Sequence, residues 1–258
     1  MLARQERLRA WFVGIAPRSD RTLAKQAASP SVQDSDRYVA HGHREVFDRE
    51  LLQVRAGVVR MGELVAVAID RAVDAMARRD QVAAAAIVAD DQAINAAQVE
   101  LAALVITTIA TQAPVAGDLR FVLSLSHITY ELERIGDHAA GVAKQVPKVG
   151  IAHGAGSSNL DRMGELASGI LHGVLRSLVD LDVDEARRVA AQDDEIDKLY
   201  HAYFERSLER MRLEPDWVDV GAHLLFAAKD LERIGDRVTN IAEEVVFLAT
   251  GEVEDLNA

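Results

Sequence analysis

Leu132-Glu133-Arg134-Ile135-Gly136-Asp137 stands in the middle of the chain and returns, residue for residue, as Leu231-Glu232-Arg233-Ile234-Gly235-Asp236, 99 positions later. Two further stretches repeat in the same order. Met61-Gly62-Glu63-Leu64 recurs as Met163-Gly164-Glu165-Leu166, and Asp91-Gln92-Ala93-Ile94-Asn95 as Asp193-Asp194-Glu195-Ile196-Asp197, both at an offset of 102. Three ordered matches at a nearly constant offset identify an internal duplication, with three residues missing from one connection of the second copy.

Working outward from the hexapeptide, Leu125, Ile128, Leu132, Ile135, Ala139, Val142 and Val146 fall at alternating spacings of 3 and 4. The second copy answers with Leu224, Ala227, Leu231, Ile234, Val238, Ile241 and Val245. A seam of this period is one apolar face of an α-helix. Good helix formers fill the rest of each copy, and breaks fall near Arg79-Asp80, at Pro114, near Asp182 and at Pro215. The expected helices are 44–79, 82–112 and 115–148, then 159–180, 183–213 and 216–250, with Gly251 as a C-terminal cap. Short connections make neighbours antiparallel. The expected fold is therefore all-α: two tandem pseudo-symmetric three-helix bundles over 44–148 and 158–251, joined by a Gly/Ser-rich linker. Residues 1–40 lie outside the repeat, are locally basic and read as a tail.

The chain's 258 residues carry 29 Lys and Arg against 41 Asp and Glu, a formal net charge of -12. Attraction to a nucleic-acid backbone cannot drive binding at that balance. With no cysteine, disulfides, thiolate metal sites and cysteine nucleophiles are excluded. The apolar run Leu101–Ala110 is too short to span a bilayer. Near the N-terminus, Trp11-Phe12-Val13 is too short for a signal-peptide core. A cytoplasmic protein is expected.

Within the hexapeptide, Glu133 and Asp137 lie about 40° apart on one helix face, as do Glu232 and Asp236. Measured from the seam, that face is expected to point away from the bundle's own core. Like charges at this spacing cost a helix about 0.2–0.5 kcal/mol, yet the arrangement is present twice. In the second copy Asn240 and Glu243 extend the stripe. Oxygen donors in this pattern suit Mg²⁺, Mn²⁺ or iron. The other reading is an exposed ion-pair network, with Arg134 three residues from both Glu131 and Asp137. Gly136 and Gly235 read as close-packing positions, since a helical glycine makes no phosphate loop. His41, His43 and Glu45 read as solvated, and Asp90 and Asp91 as helix-edge acids. The helices carry no Glu-x-x-His pair, and no spacing of Ser, His and Asp suggests a triad, so catalysis has no support.

Over about 44–251 the chain resembles the PhoU family. The resemblance is carried by Glu133-Asp137 and Glu232-Asp236 with Arg134 and Arg233 beside them, by Asp91-x-x-Ile94-Asn95 and Asp193-x-x-Ile196-Asp197, and by the turn Pro114-Val115-Ala116-Gly117-Asp118-Leu119-Arg120. The second copy departs from that turn, Pro215 being followed by Asp216-Trp217-Val218-Asp219. Any role of Asp118 or Arg120 therefore has no counterpart there. The resemblance implies multinuclear metal clusters on the acidic motifs, holding Fe, Mn, Mg or Zn. It also implies a non-enzymatic regulator placed between the ATPase of a phosphate ABC transporter and a sensor histidine kinase. Such a protein represses the phosphate-starvation response and restrains uptake. From the chain's own long helices without a spanning segment, reversible docking at the membrane's cytosolic face through those partners and homodimer formation are expected. The alternatives are an accessory regulator of a different phosphate carrier and a carboxylate-cluster metal-storage protein or enzyme.

Overall fold

The computed structural model of the chain describes residues 32–150 and 158–257, with side chains from Glu45 onward, that of Ser158 excepted. One unit is Met1–Gly42, of which the first turns of one helix are described. The other is His43–Ala258. Among the described residues every regular element is helical: α1 (Val32–Arg78), α2 (Gln81–Gln112), α3 (Ala116–Val149), α4 (Ser158–Asp180), α5 (Val183–Ala190), α6 (Asp193–Leu213) and, after the 3-10 turn Pro215–Trp217, α7 (Val218–Thr250). The expected three plus three helices are present with two differences. Helix α1 begins a dozen residues before position 44, because no proline follows Pro30 to stop it. The fifth expected helix is broken at Ala191–Gln192 into α5 and α6. What was expected of the tail falls mostly on residues outside the described ones.

The two copies use the same turn between their first and second helices. Arg79 and Leu181, 102 residues apart, both take left-handed backbone, at φ 59° and 50°. The aspartate that follows each then caps the next helix. Asp80 accepts from the N–H groups of Val82 and Ala83, and Asp182 from that of Glu185. Such caps satisfy helix donors that lack an intrahelical partner, each stabilising by about 1 kcal/mol.

Two antiparallel contacts join the repeats. Between α1 and α4, a Cβ on Gly62 would run into Leu175 and one on Gly164 into Val73. These are the same contact seen from either copy, which explains why Met-Gly-Glu-Leu is duplicated: its glycine lets the two helices approach. Arg55 closes this contact by donating from Nη2 to the carbonyl of Val179 at 2.6 Å. The longer contact runs between α3 and α7, whose seams are fully buried, Leu132 at 0% and Leu231 at 1% exposure. Along it Arg237 and Asn240 donate to Glu131, at 3.4 and 3.3 Å, and His138 Nδ1 lies 3.0 Å from Asp230. The Glu131–Arg237 and Asp230–His138 pairs exchange under the 99-residue offset. The pseudo-twofold axis therefore passes between the third helices.

Helix α2 is more apolar than the run Leu101–Ala110 suggested. Between Ala93 and Ala110 Glu100 is the one charged residue, and by length and composition the helix could cross a membrane. Its Ile87, Ile94, Leu101 and Val105 are instead buried in this bundle.

Candidate functional site

The acidic motifs do not point away from their own bundles. In a six-helix arrangement α3 and α7 are covered by their own repeat and by each other, so their buried arc is wider than the seam alone, with Ala140, Ala143 and Gly136 also inside. Glu133 and Asp137 consequently turn toward the second helix, where Asp91 lies within electrostatic reach of both.

The first cluster comprises Asp91 and Asn95 on α2 with Glu133 and Asp137 on α3. Asn95 donates to Asp91 Oδ2 at 3.3 Å. Gly136 faces the gap, the place of its missing Cβ lying 3.0 Å from Ile94 Cδ1 and 3.4 Å from Asp91 Oδ1. Burial first, and the Asp137 charge second, push the Asp91 carboxyl above its ordinary range. Glu133 is raised by the same two causes, with Arg134 opposing. The expected ion pairing is partly present: Arg134 lies 3.7 Å from Glu133 and 3.5 Å from Asp137, from a largely exposed position. Glu131 is not in that network, being committed to Arg237 and Asn240 across the repeat interface.

The second cluster comprises Asp193 and Asp197 on α6 with Glu232 and Asp236 on α7. Here Gly235 is essential to the approach, because a Cβ there would collide with Asp193 Oδ1. Asp193 is 7% exposed. Burial, then the charges of Asp197, Asp236 and Glu232, push it up to about 7, against a hydrogen bond from Thr239. Asp197 is raised as well, by burial and by Asp236. Lys229 Nζ sits 2.5 Å from Glu232 Oε1.

Both clusters leave buried oxygen without a hydrogen-bond donor: Asp91 Oδ1 and Asn95 Oδ1 in the first, Asp193 Oδ1 and Glu232 Oε2 in the second. Such atoms are costly unless something positive meets them. Among the described residues no three carboxylates or histidines converge on one point closely enough to form a finished metal cage. Each cluster is instead two facing rows of oxygen donors, partly open to solvent. Asn240, one turn beyond Asp236, stands apart, its amide on Glu131 and its carbonyl accepting from Asn257 at 3.4 Å. Glu243 accepts from the backbone of Leu256. Arg120 lies over the Phe247 ring at the end of α7. The second-helix members were visible in the duplicated Asp-x-x-Ile-Asn/Asp pattern. Their facing the third-helix acids depends on helix packing that spacing alone does not give. The side chains of His41 and His43 are outside the described ones.

A family model described as PhoU domain matches residues 58–146 and again 160–245, one match on each repeat. The chain belongs to the PhoU family. It is 37% identical over 208 residues to a phosphate-specific transport system accessory protein PhoU homolog of Caulobacter vibrioides, covering 80% of this chain and 90% of that one. To the protein of the same description from Clostridium acetobutylicum it is 34% identical over 216 residues, covering 83% and 99%. Among solved structures, the phosphate transport system regulatory protein PhoU from Streptococcus pneumoniae superposes with a TM-score of 0.74 at 33% identity, covering 81% of this chain and 99% of that one. PhoU from Pseudomonas aeruginosa gives 0.77 at 30% identity, covering 80% and 100%.

Proposed function

We propose that this PhoU-family protein is a cytoplasmic, non-enzymatic regulator of phosphate homeostasis. In this reading it docks, as a homodimer, on the ATPase of a phosphate ABC transporter and on a sensor histidine kinase. It represses the starvation response and restrains uptake while phosphate is plentiful, and it reaches the membrane through those partners. The observation that carries the reading is the PhoU domain on both repeats, together with relatives described as accessory proteins of phosphate-specific transport systems.

The carboxylate clusters are assigned to cations. Asp91, Glu133 and Asp137 would hold one site and Asp193, Asp197, Glu232 and Asp236 the other. All-oxygen donor sets of this kind suit Mg²⁺, Mn²⁺ or iron ahead of softer ions, Zn²⁺ included. A bound cation would meet the unpartnered buried oxygens of both clusters and offset the mutual repulsion that raises their carboxyl pKa values. The functional reading is tested by deleting the gene and growing the strain in ample phosphate. Phosphatase expression and phosphate uptake are expected to rise, and unchanged levels of both contradict the regulator.

A further inference from the structure

Helix α2 keeps an apolar face turned to solvent. Val82 is 82% exposed, Val99 64% and Ile106 67%, and on neighbouring α1 Leu64 and Val67 are 46% and 53% exposed. Of the most apolar 18-residue window of α2, 22% is buried. Its equivalent in the second repeat, α6, turns Asp194, Glu195, Lys198 and Glu205 outward. The difference is specific to one repeat, so each chain offers one such face among its described residues.

We infer that this face is where a second copy of the chain binds, through antiparallel pairing of the two α2 helices about a twofold axis at Ala96. The inference deepens the homodimer reading above by naming its surface. An isologous contact must be self-complementary, and this face is. With Ala96 on the axis, Ala89 meets the other copy's Ala103, Val82 meets Ala110, Ile106 meets Ala85, and Glu100 meets Ala93. Val82, Ile106 and Glu100 thus face alanine, Val99 lies toward Gln92, and no like charges are opposed. Parallel pairing would stack Glu100 on its own copy. At 1.5 Å per residue the face runs about 42 Å from Val82 to Ala110. At a helix width of about 10 Å this offers roughly 400 Å² per copy, and Leu64 and Val67 bring two copies to about 1,000 Å², the lower bound for a specific interface. A lipid surface fits less well, because α2 carries no Lys or Arg, whereas helices lying on anionic membranes are rich in them. One self-complementary face per chain closes at two copies.

The test is the mass of the full-length protein across a micromolar concentration series by analytical ultracentrifugation. The parent is expected to dimerise. Ala96→Glu, which sets two carboxylates against each other on the axis, and Ala93→Glu, which faces Glu100, should each weaken dimerisation about tenfold or more. Ala93→Lys, placed opposite the same Glu100, should leave the dimer as tight or tighter. Both positions are exposed, so thermal melts of the variants are expected to match the parent's and show that the fold is retained. A parent that stays monomeric overturns the inference, and so does a dimer indifferent to Ala96→Glu. Ala93→Lys weakening the dimer as much as Ala93→Glu overturns the register. Pelleting of a monomeric parent with phosphatidylglycerol vesicles gives the face to lipid instead. All of these read mass or sedimentation, so they fail separately from the phosphate-regulation experiment.

Discussion

The two carboxylate clusters descend from one duplicated pattern and have diverged in charge and depth. The first has Asn95 where the second has Asp197, so it faces one fewer negative charge and meets one oxygen of Asp91, Oδ2, with an amide. The second buries Asp193 to 7% exposure against a glycine and sets Lys229 on Glu232. At the position equivalent to Lys229 the first copy has Tyr130. Without a cation the second cluster is thus the more strained of the two, and it has the more to gain from one. An added carboxylate costs the empty site and strengthens the filled one.

The largest effect is expected at Asp193. Its carboxyl is raised to about 7 in the folded protein, against an ordinary value near 4 in the unfolded chain. In this window the folded state holds the extra proton. The resulting stability is present below about pH 4 and is lost as pH rises through about 7. Chelator-treated protein should therefore unfold at lower denaturant concentration at pH 8 than at pH 5. Asp193→Asn should flatten that dependence and stabilise the metal-free protein at pH 8 by roughly 2–4 kcal/mol. Asp91→Asn should shift the same curves in the same direction by less.

The glycines separate the clusters next. Gly235→Ala drives a methyl into the Asp193 carboxylate, and overpacking of this kind costs about 1–3 kcal/mol. Gly136→Ala meets Ile94 Cδ1 at 3.0 Å, a milder crowding that the roughly 1 kcal/mol helix preference of Ala over Gly offsets. Denaturant titrations should find the first variant clearly weakened and the second near the parent. Equal losses would remove the claimed difference in depth.

A smaller effect is expected at Lys229, which is partly exposed and also lies 5.1 Å from the Tyr200 ring centre. Lys229→Tyr, copying the first repeat, should cost the metal-free protein less than about 1 kcal/mol. It should also tighten cation binding at the second cluster, as read by calorimetric titration with Mn²⁺. Weaker binding would mean that Lys229 positions Glu232 instead of competing for it.

The duplication, the six-helix plan and the buried seams were legible because helical period and repeated motifs are local signals. Leu132 and Leu231 are buried as the 3,4 spacing requires. The orientation of Glu133 and Asp137 was not legible. A helical wheel referred to one seam treats α3 as packing on one side, whereas α3 also packs on α7, and Gly136 draws α2 in. The break at Ala191–Gln192 has no local signal of its own: neither residue is a helix breaker, and Asp193 begins the next helix with an acidic first turn. The exposed face of α2 is written in its alanines, but an apolar pattern does not say which face a neighbour covers.

Elemental analysis of protein purified without chelator decides whether the duplicated clusters are cation sites. Metal is expected in the parent. About half of that content is expected when Glu133 and Asp137, or Glu232 and Asp236, are changed to Ala, and none when all four are changed, with the fold intact in each variant because the seams are untouched. A parent free of metal, or metal retained by the fourfold variant, would contradict the cation assignment.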